Sequence, residues 1–397
     1  MLTPRPCVTD ILPQRPSLPV TGSLRHMDHP AKHRFLIAPL DWGLGHATRC
    51  IPIARALLAQ GQEVVVAATG ARARLLAEEL PGVPIVPVVD YGISYAGSRI
   101  GLYLRFPWML ARVAQRASHE CHQLQHMVRK HRIDCVISDN RFGFHTHRAY
   151  CVYVTHQLCI QFPAGFGWLE WVVWKLHRGV MAKFDEVWVP DYPGEDNLTG
   201  DLSRKRPLPP NCRFVGPLSR LAGTAPLASA PGPDLLVLLS GPEPQRSLLE
   251  ARVLAGLERW HGSAVVVRGV PGEDGERVLR PGVTLLPHLN GDRLGALMRS
   301  AKAILCRGGY TTIMELVSLG RTAVLVPTPG QTEQEYLCGR LAKQGRFVVR
   351  QQTRLDLAEA LSALAGLQSP GPLAGRIGLL GEAVNQLLRA VGSRQTP

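Results

Sequence analysis

Arg307-Gly308-Gly309-Tyr310-Thr311-Thr312-Ile313-Met314-Glu315 lies between two apolar runs, Ala303 to Cys306 and Thr322 to Val326. The order reads as strand, glycine turn, helix, strand. Adjacent glycines let the main chain approach a ligand closely, and the helix behind them aims unpaired N–H groups and a partial positive charge at it. Such a turn, with Tyr310 and Thr311 opening the helix, suits a phosphate. Glu315 falls just under two turns further on, where a carboxylate can accept both hydroxyls of a ribose. A diphosphate beside a ribose is the core of a nucleotide sugar. The plainer reading is an ordinary strand-to-helix turn with a surface glutamate, so the rest of the chain has to decide.

A second turn of this kind follows the run Phe35 to Leu40, in Asp41-Trp42-Gly43-Leu44-Gly45-His46-Ala47-Thr48-Arg49. Gly43 and Gly45 permit a tight turn that puts His46 at a helix N-terminus. Its ordinary pKa near 6.5 suits it to general-base work. A dinucleotide fingerprint needs a third glycine and a later acidic residue, which Ala47 and Thr48 do not begin, so a dehydrogenase is excluded. Asp139 ends the run Val136-Ile137-Ser138 and belongs on the same sheet edge as His46, where it either orients the imidazole or forms a turn. Neither Ser138 nor Ser240 sits in a Gly-x-Ser-x-Gly elbow, which argues against a serine hydrolase.

Two further loops are candidates for the same cleft. Ser240-Gly241-Pro242-Glu243-Pro244-Gln245-Arg246 reads as an anion-accepting loop closed by Arg246, or as a rigid proline turn. Gln331-Thr332-Glu333-Gln334-Glu335 offers amide and carboxylate groups to sugar hydroxyls through Gln331, Gln334 and Glu335, and also reads as a capping box with Thr332 as N-cap. No Asp-x-Asp occurs, and His119, His122 and His126 lack carboxylate partners, so no metal and no other cofactor is expected. The helix start after Gly309, with Arg307, is expected to carry the diphosphate charge instead.

Positioning these turns requires two sheets. From Arg34 the chain alternates short apolar runs with amphipathic segments, pauses at the Pro, Gly, Ala and Ser-rich residues 216–233, and resumes to about Arg350. The expectation is an α/β protein of two doubly wound Rossmann-like domains facing a central cleft. Its parts are a mobile tail at 1–33, with Met27 an alternative start, a domain at 34–215, a linker at 216–233 and a domain at 234–397 whose last helix packs back on the first. Nine scattered Cys without a Cys-x-x-Cys pair suggest reduced thiols. The net charge of +14 favours an acidic partner. Aromatics are not interleaved with basic residues on a sheet face, which argues against nucleic acid. They cluster at Phe106 to Leu110 and Trp168 to Leu176 beside basic side chains, which fits either buried helix faces or an anionic membrane surface.

Taken together, these residues resemble the GT-B nucleotide-sugar glycosyltransferases, and among them the family 28 UDP-N-acetylglucosamine transferases of lipid II synthesis. The Gly-Gly pair, Glu315, Gly320, Pro327 and Gln334 to Tyr336 follow that family's donor-site order, and Gly43 to His46 match its Gly-x-Gly-His. The resemblance implies ribose binding by Glu315, sugar contacts by Gln334 and Glu335, and a first loop close to diphosphate and acceptor. It also implies an inverting, metal-independent transfer from a UDP-sugar to a hydroxyl acceptor, lipid-linked in those enzymes, at the cytoplasmic face of the membrane. The chain departs from the family in its shorter first loop, in Glu335 where Gln is usual and in Cys338 where Asn is usual. Gly43 to Cys50 also resembles the Gly-x-Gly-His-x-x-Arg-Cys of nonulosonic acid UDP-sugar hydrolases, whose acceptor is water.

Overall fold

A computed structural model describes residues 32–41, 43–89, 99–162, 167–222, 231–270, 275–368 and 378–395, with only the backbone of 99–110 and 395. The tail at 1–31, Met27, Trp42, the centre of the linker and the side chains of Phe106 to Leu110 lie outside this set. The first half contains β1 (Arg34–Pro39), α1 (Leu44–Ala59), β2 (Glu63–Ala67), α2 (Gly70–Glu79), β3 (Ile85–Val86), α3 (Arg99–His131) and β4 (Cys135–Asp139). It continues through β5 (Tyr150–Val154), α4 (Gly167–Met181), β6 (Glu186–Val189), α5 (Asp201–Arg204) and β7 (Cys212–Phe214). The second half contains β8 (Leu235–Leu238), α6 (Gln245–Leu257), β9 (Ala264–Val267), β10 (Arg277–Arg280), β11 (Val283–Leu286), α7 (Gly291–Ser300) and β12 (Ala303–Arg307). After it come α8 (Tyr310–Ser318), β13 (Val324–Val326), α9 (Thr332–Lys343), β14 (Val348–Val349), α10 (Leu357–Ala365) and α11 (Leu379–Gln395).

Each half builds a seven-stranded sheet, in the orders β3-β2-β1-β4-β5-β6-β7 and β10-β11-β9-β8-β12-β13-β14. All pairs are parallel except β10 with β11. Parallel strands are buried on both faces, which is why β1 is apolar without alternation. Phe35 and Ile37 join one core cluster while Leu36 and Ala38 join the other. The chain order reverses direction across the sheet between β1 and β4 and again between β8 and β12. These switch points are where such sheets leave a crevice at the carboxyl ends of their strands.

Register brings the functional ends level. Pro39 pairs with Asp139 and Asp139 with Val154, so β1, β4 and β5 finish together. In the second sheet Leu238 pairs with Cys306 and Arg307 with Val326. One apolar cluster runs from Leu198, Leu202 and Leu218 to Tyr310, Ile313 and Met314, joining the halves. Leu218, Ser219, Arg220 and Leu221 are buried, so the described start of 216–233 is packed chain and not a free tether. Leu379 of α11 packs over Gly216, and Arg394 near its end pairs with Asp185 at 3.0 Å. Ala383, Val384, Leu387 and Val391 bury the face between them.

Candidate active site between the halves

Gly43 is the N-cap of α1 and holds φ at +76°, a conformation that favours glycine. His46 therefore falls in the first turn of the helix. Its Nδ1 lies 2.9 Å from Asp139 Oδ2. Arg49, one turn on, directs Nε at both Asp139 oxygens, at 2.9 and 2.8 Å, and its Nη2 also bonds Asp139 Oδ1. Burial alone would raise the Asp139 carboxyl, but Arg49 and His46 outweigh it and hold the group below its usual range. His46 Nδ1 meets both this accepting carboxylate and a donor, Arg49 Nη2 at 2.7 Å; the tautomer with the proton on Nδ1, donated to Asp139, is the one that leaves Nε2 as a base. Burial, reinforced by the Arg49 cation and opposed by Asp139, lowers the His46 pKa below 6.5. This is the state a base needs at neutral pH.

On the second half, Gly309 caps α8 without a side-chain hydrogen bond, so the first N–H groups of Tyr310 and Thr311 are unclaimed by a cap. A Cβ on Gly308 would stand 2.1 Å from Cys338 Sγ, which makes glycine obligatory there. Arg307, expected at the diphosphate, is 1% exposed and instead donates to carbonyls of Ser240, Gln245, Val326 and Pro327. It ties the loops after β8 and β13 together, and burial lowers its pKa to about 10. Arg246 is likewise engaged, with Glu243 and with Glu250 at 2.6 and 2.7 Å. Ser240 enters the site region through its carbonyl.

Glu315 is buried, its carboxyl raised by burial against the opposing Arg220, whose Nε lies 3.2 Å away. Arg220 also reaches Glu79 at 2.8 Å, and Glu79 accepts from the first N–H of α7 at Gly291, at 2.7 Å. Gln334 folds back to accept from Thr328 N, and Glu335 accepts from Gly330 N. The N-cap of α9 is Gln331, and Thr332 is the first residue of the helix.

The two glycine turns meet. Thr311 Oγ1 donates to Gly45 O at 3.2 Å, and a Cβ on Gly45 would stand 2.9 Å from that hydroxyl. Tyr310 Oη donates to Pro190 O at 2.5 Å, and its ring stacks on His156 at 4.3 Å. His156 in turn reaches Glu333 of α9 at 2.7 Å. Sequence reading passed over Arg49, His156, Glu333, Arg220 and Glu79 as site residues. Arg49 alone left a local signal, since a position three after His46 shares its helix face.

Residues 291–370 match the Glycosyltransferase family 28 C-terminal domain. The SnogD glycosyltransferase of Streptomyces nogalater superposes with a TM-score of 0.59 at 20% identity, covering 91% of this chain and 100% of that one. CalG4, the calicheamicin glycosyltransferase, gives 0.57 at 17% identity over 92% and 100%. The fold is GT-B. Within it, the GT-B chain resembles the family 28 UDP-N-acetylglucosamine–N-acetylmuramyl-(pentapeptide) pyrophosphoryl-undecaprenol N-acetylglucosamine transferases. That of Syntrophotalea carbinolica is 29% identical over 37% of this chain and 43% of its own length. That of Rhodopseudomonas palustris is 31% identical over 43% and 50%. The chain spans about half the length of the curated relatives it matches.

Proposed function

We infer that this protein is a nucleotide-sugar glycosyltransferase that moves a sugar from a UDP-sugar to a hydroxyl by inversion and without a metal. One observation carries the reading: the uncapped first turns of α1 and α8, from opposite halves, meet at Gly45 and Thr311 beside His46. Two helix N-termini face to face repel each other, and an anion between them turns that repulsion into attraction. The diphosphate is that anion. Glu315, with Oε1 held by Arg220, offers Oε2 to the ribose. Gln334 and Glu335, in the first turn of α9, are proposed to face the sugar.

In the reaction, His46 Nε2 removes the acceptor hydroxyl proton as the oxygen attacks the anomeric carbon from the face opposite the leaving group. The bond from that carbon to the diphosphate breaks, and UDP departs with its negative charge against the two helix starts. Asp139 stabilises the imidazolium that forms. The halves exclude water from the reacting carbon, which favours transfer over hydrolysis.

The acceptor is proposed to be lipid-linked, with docking to an anionic membrane face. Trp168, Trp171 and Leu176 of α4 are exposed, and Lys175 Nζ sits 4.0 Å over the Trp171 ring. No helix among the described residues is long and apolar enough to cross a membrane.

The test is a thermal-shift series with UDP, UDP-N-acetylglucosamine and dTDP on wild type and Glu315→Ala, followed by product analysis with a polyprenyl acceptor. UDP compounds should raise the melting temperature of the wild type by a few degrees and of the variant by less. Equal shifts in the two proteins refute the donor site, and free sugar released without acceptor refutes transfer.

A further inference from the structure

Among the described residues, His156 touches both the base network and the second half, through polar atoms at the two ends of its ring. Arg49 Nη1 lies 3.1 Å from its Nδ1, and Glu333 Oε1 lies 2.7 Å from its Nε2. Arginine can only donate, so Nδ1 accepts and Nε2 carries the proton. Burial would raise the Glu333 carboxyl, but His156 and Arg49 outweigh it and hold it low, consistent with an acceptor. His46 and His156 both turn Nδ1 toward this one guanidinium, at 2.7 and 3.1 Å. The ring of His156 is 5% exposed and stacked at 11° on Tyr310, the first residue of α8. The order Asp139, Arg49, His156, Glu333 is a continuous hydrogen-bonded line from β4 to α9.

We propose that His156 is a positioning residue that locks Arg49 against Asp139 when Glu333 is seated beside it, so that docking of the two halves completes the His46 base. This rests on the reading of His46 as the general base. When the halves part, Nε2 of His156 loses its acceptor and Arg49 loses a fixed neighbour. The base is then poorly oriented while the site is open to water. The physical gain is that deprotonation is confined to the docked arrangement. The charged and titratable groups facing His46 and His156 are Arg49 and Cys50 of α1, Asp139 of β4, Tyr310 of α8 and Glu333 of α9.

The experiment is NMR titration of the His46 imidazole in the full chain labelled at histidine, assigned by comparison with His46→Gln. The variants are Glu333→Ala, Glu333→Gln and His156→Phe, the last keeping a ring to stack on Tyr310. Both Glu333 variants remove the same carboxylate, a loss that by itself moves His46 downward. Only the alanine also removes the acceptor. The expected result is an upward move of the His46 midpoint by about one pH unit in Glu333→Ala and His156→Phe, as Arg49 leaves its place, and a midpoint at or below wild type in Glu333→Gln. If His156→Phe does not fold, the two Glu333 variants decide alone. An unchanged or lowered midpoint in Glu333→Ala overturns the proposal, as does an upward move in Glu333→Gln equal to that in Glu333→Ala. Titration needs no substrate, so failure of UDP to stabilise wild type would reject the donor reading without altering this outcome.

Discussion

Asp139 and Arg307 occupy the same place in the two sheets, each ending the strand next to its switch point, and each is almost wholly buried. Their surroundings differ in kind. Asp139 has full opposite charges beside it and keeps its own charge more firmly than in water. Arg307 has only carbonyl dipoles and loses part of its hold on the proton, down to about 10. A buried charge with a charged partner can serve proton transfer, whereas a buried charge held by dipoles serves as a tie between loops. In the proposed reading the first half supplies the proton-transfer side chains, while Arg307 of the second half is spent on architecture.

The comparison breaks most readily at the first half. Asp139→Ala should leave Arg49 buried without its carboxylate and cost about 3–5 kcal/mol of stability, read from the urea midpoint. His46→Ala should lower turnover by about 10²–10⁴-fold while UDP still raises the melting temperature, because the proposed nucleotide contacts are helix N–H groups and Glu315 and not the imidazole. A parallel loss of UDP stabilisation would erase that division. Arg307→Met should cost only about 1–3 kcal/mol, from carbonyls left unsatisfied, and a loss as large as that of Asp139→Ala would mean that the two buried charges are not different in kind.

Smaller effects sharpen the second half. Gly308→Ala should destabilise by about 1–3 kcal/mol through contact with Cys338, and adding Cys338→Ala should recover most of it. Failure of the double variant to recover would assign Gly308 to backbone freedom and not to space. The mildest effect is on pH. Because the His46 pKa is lowered, the neutral base persists to below pH 6.5, and kcat/KM should fall on the acid side only below that value. An acid limb at or above 6.5 would mean that Asp139 outweighs burial and Arg49.

Apolar runs made most strands legible, since a strand buried on both faces has to be apolar throughout. β7 and β10 escaped because basic residues interrupt their short apolar stretches. Arg277, Val278 and Leu279 of β10 are exposed, and Cys212 to Phe214 are only partly covered. His46 and Asp139 were legible because one opens the helix that follows a strand and the other ends a strand, and the register levels the ends of those two strands. His156 and Glu333 were not, since 177 positions separate them and neither stands in a motif with a chemistry of its own. Arg307 misled for a related reason. A cation before a glycine pair looks available to a phosphate, and only the folded loops reveal four carbonyls converging on it.

The return of α11 to the first half has a mechanical meaning. Leu379, at the start of α11, rests on Gly216 just beyond β7, so the returning helix is tied to the first half beside the last strand of its sheet. A body held at one point can swivel freely, but one held at two adjacent points is limited to rotation about the line joining them. A parting of the halves constrained by that tie would follow one arc and return Gly45 to Thr311 and His156 to Glu333 in the same stroke.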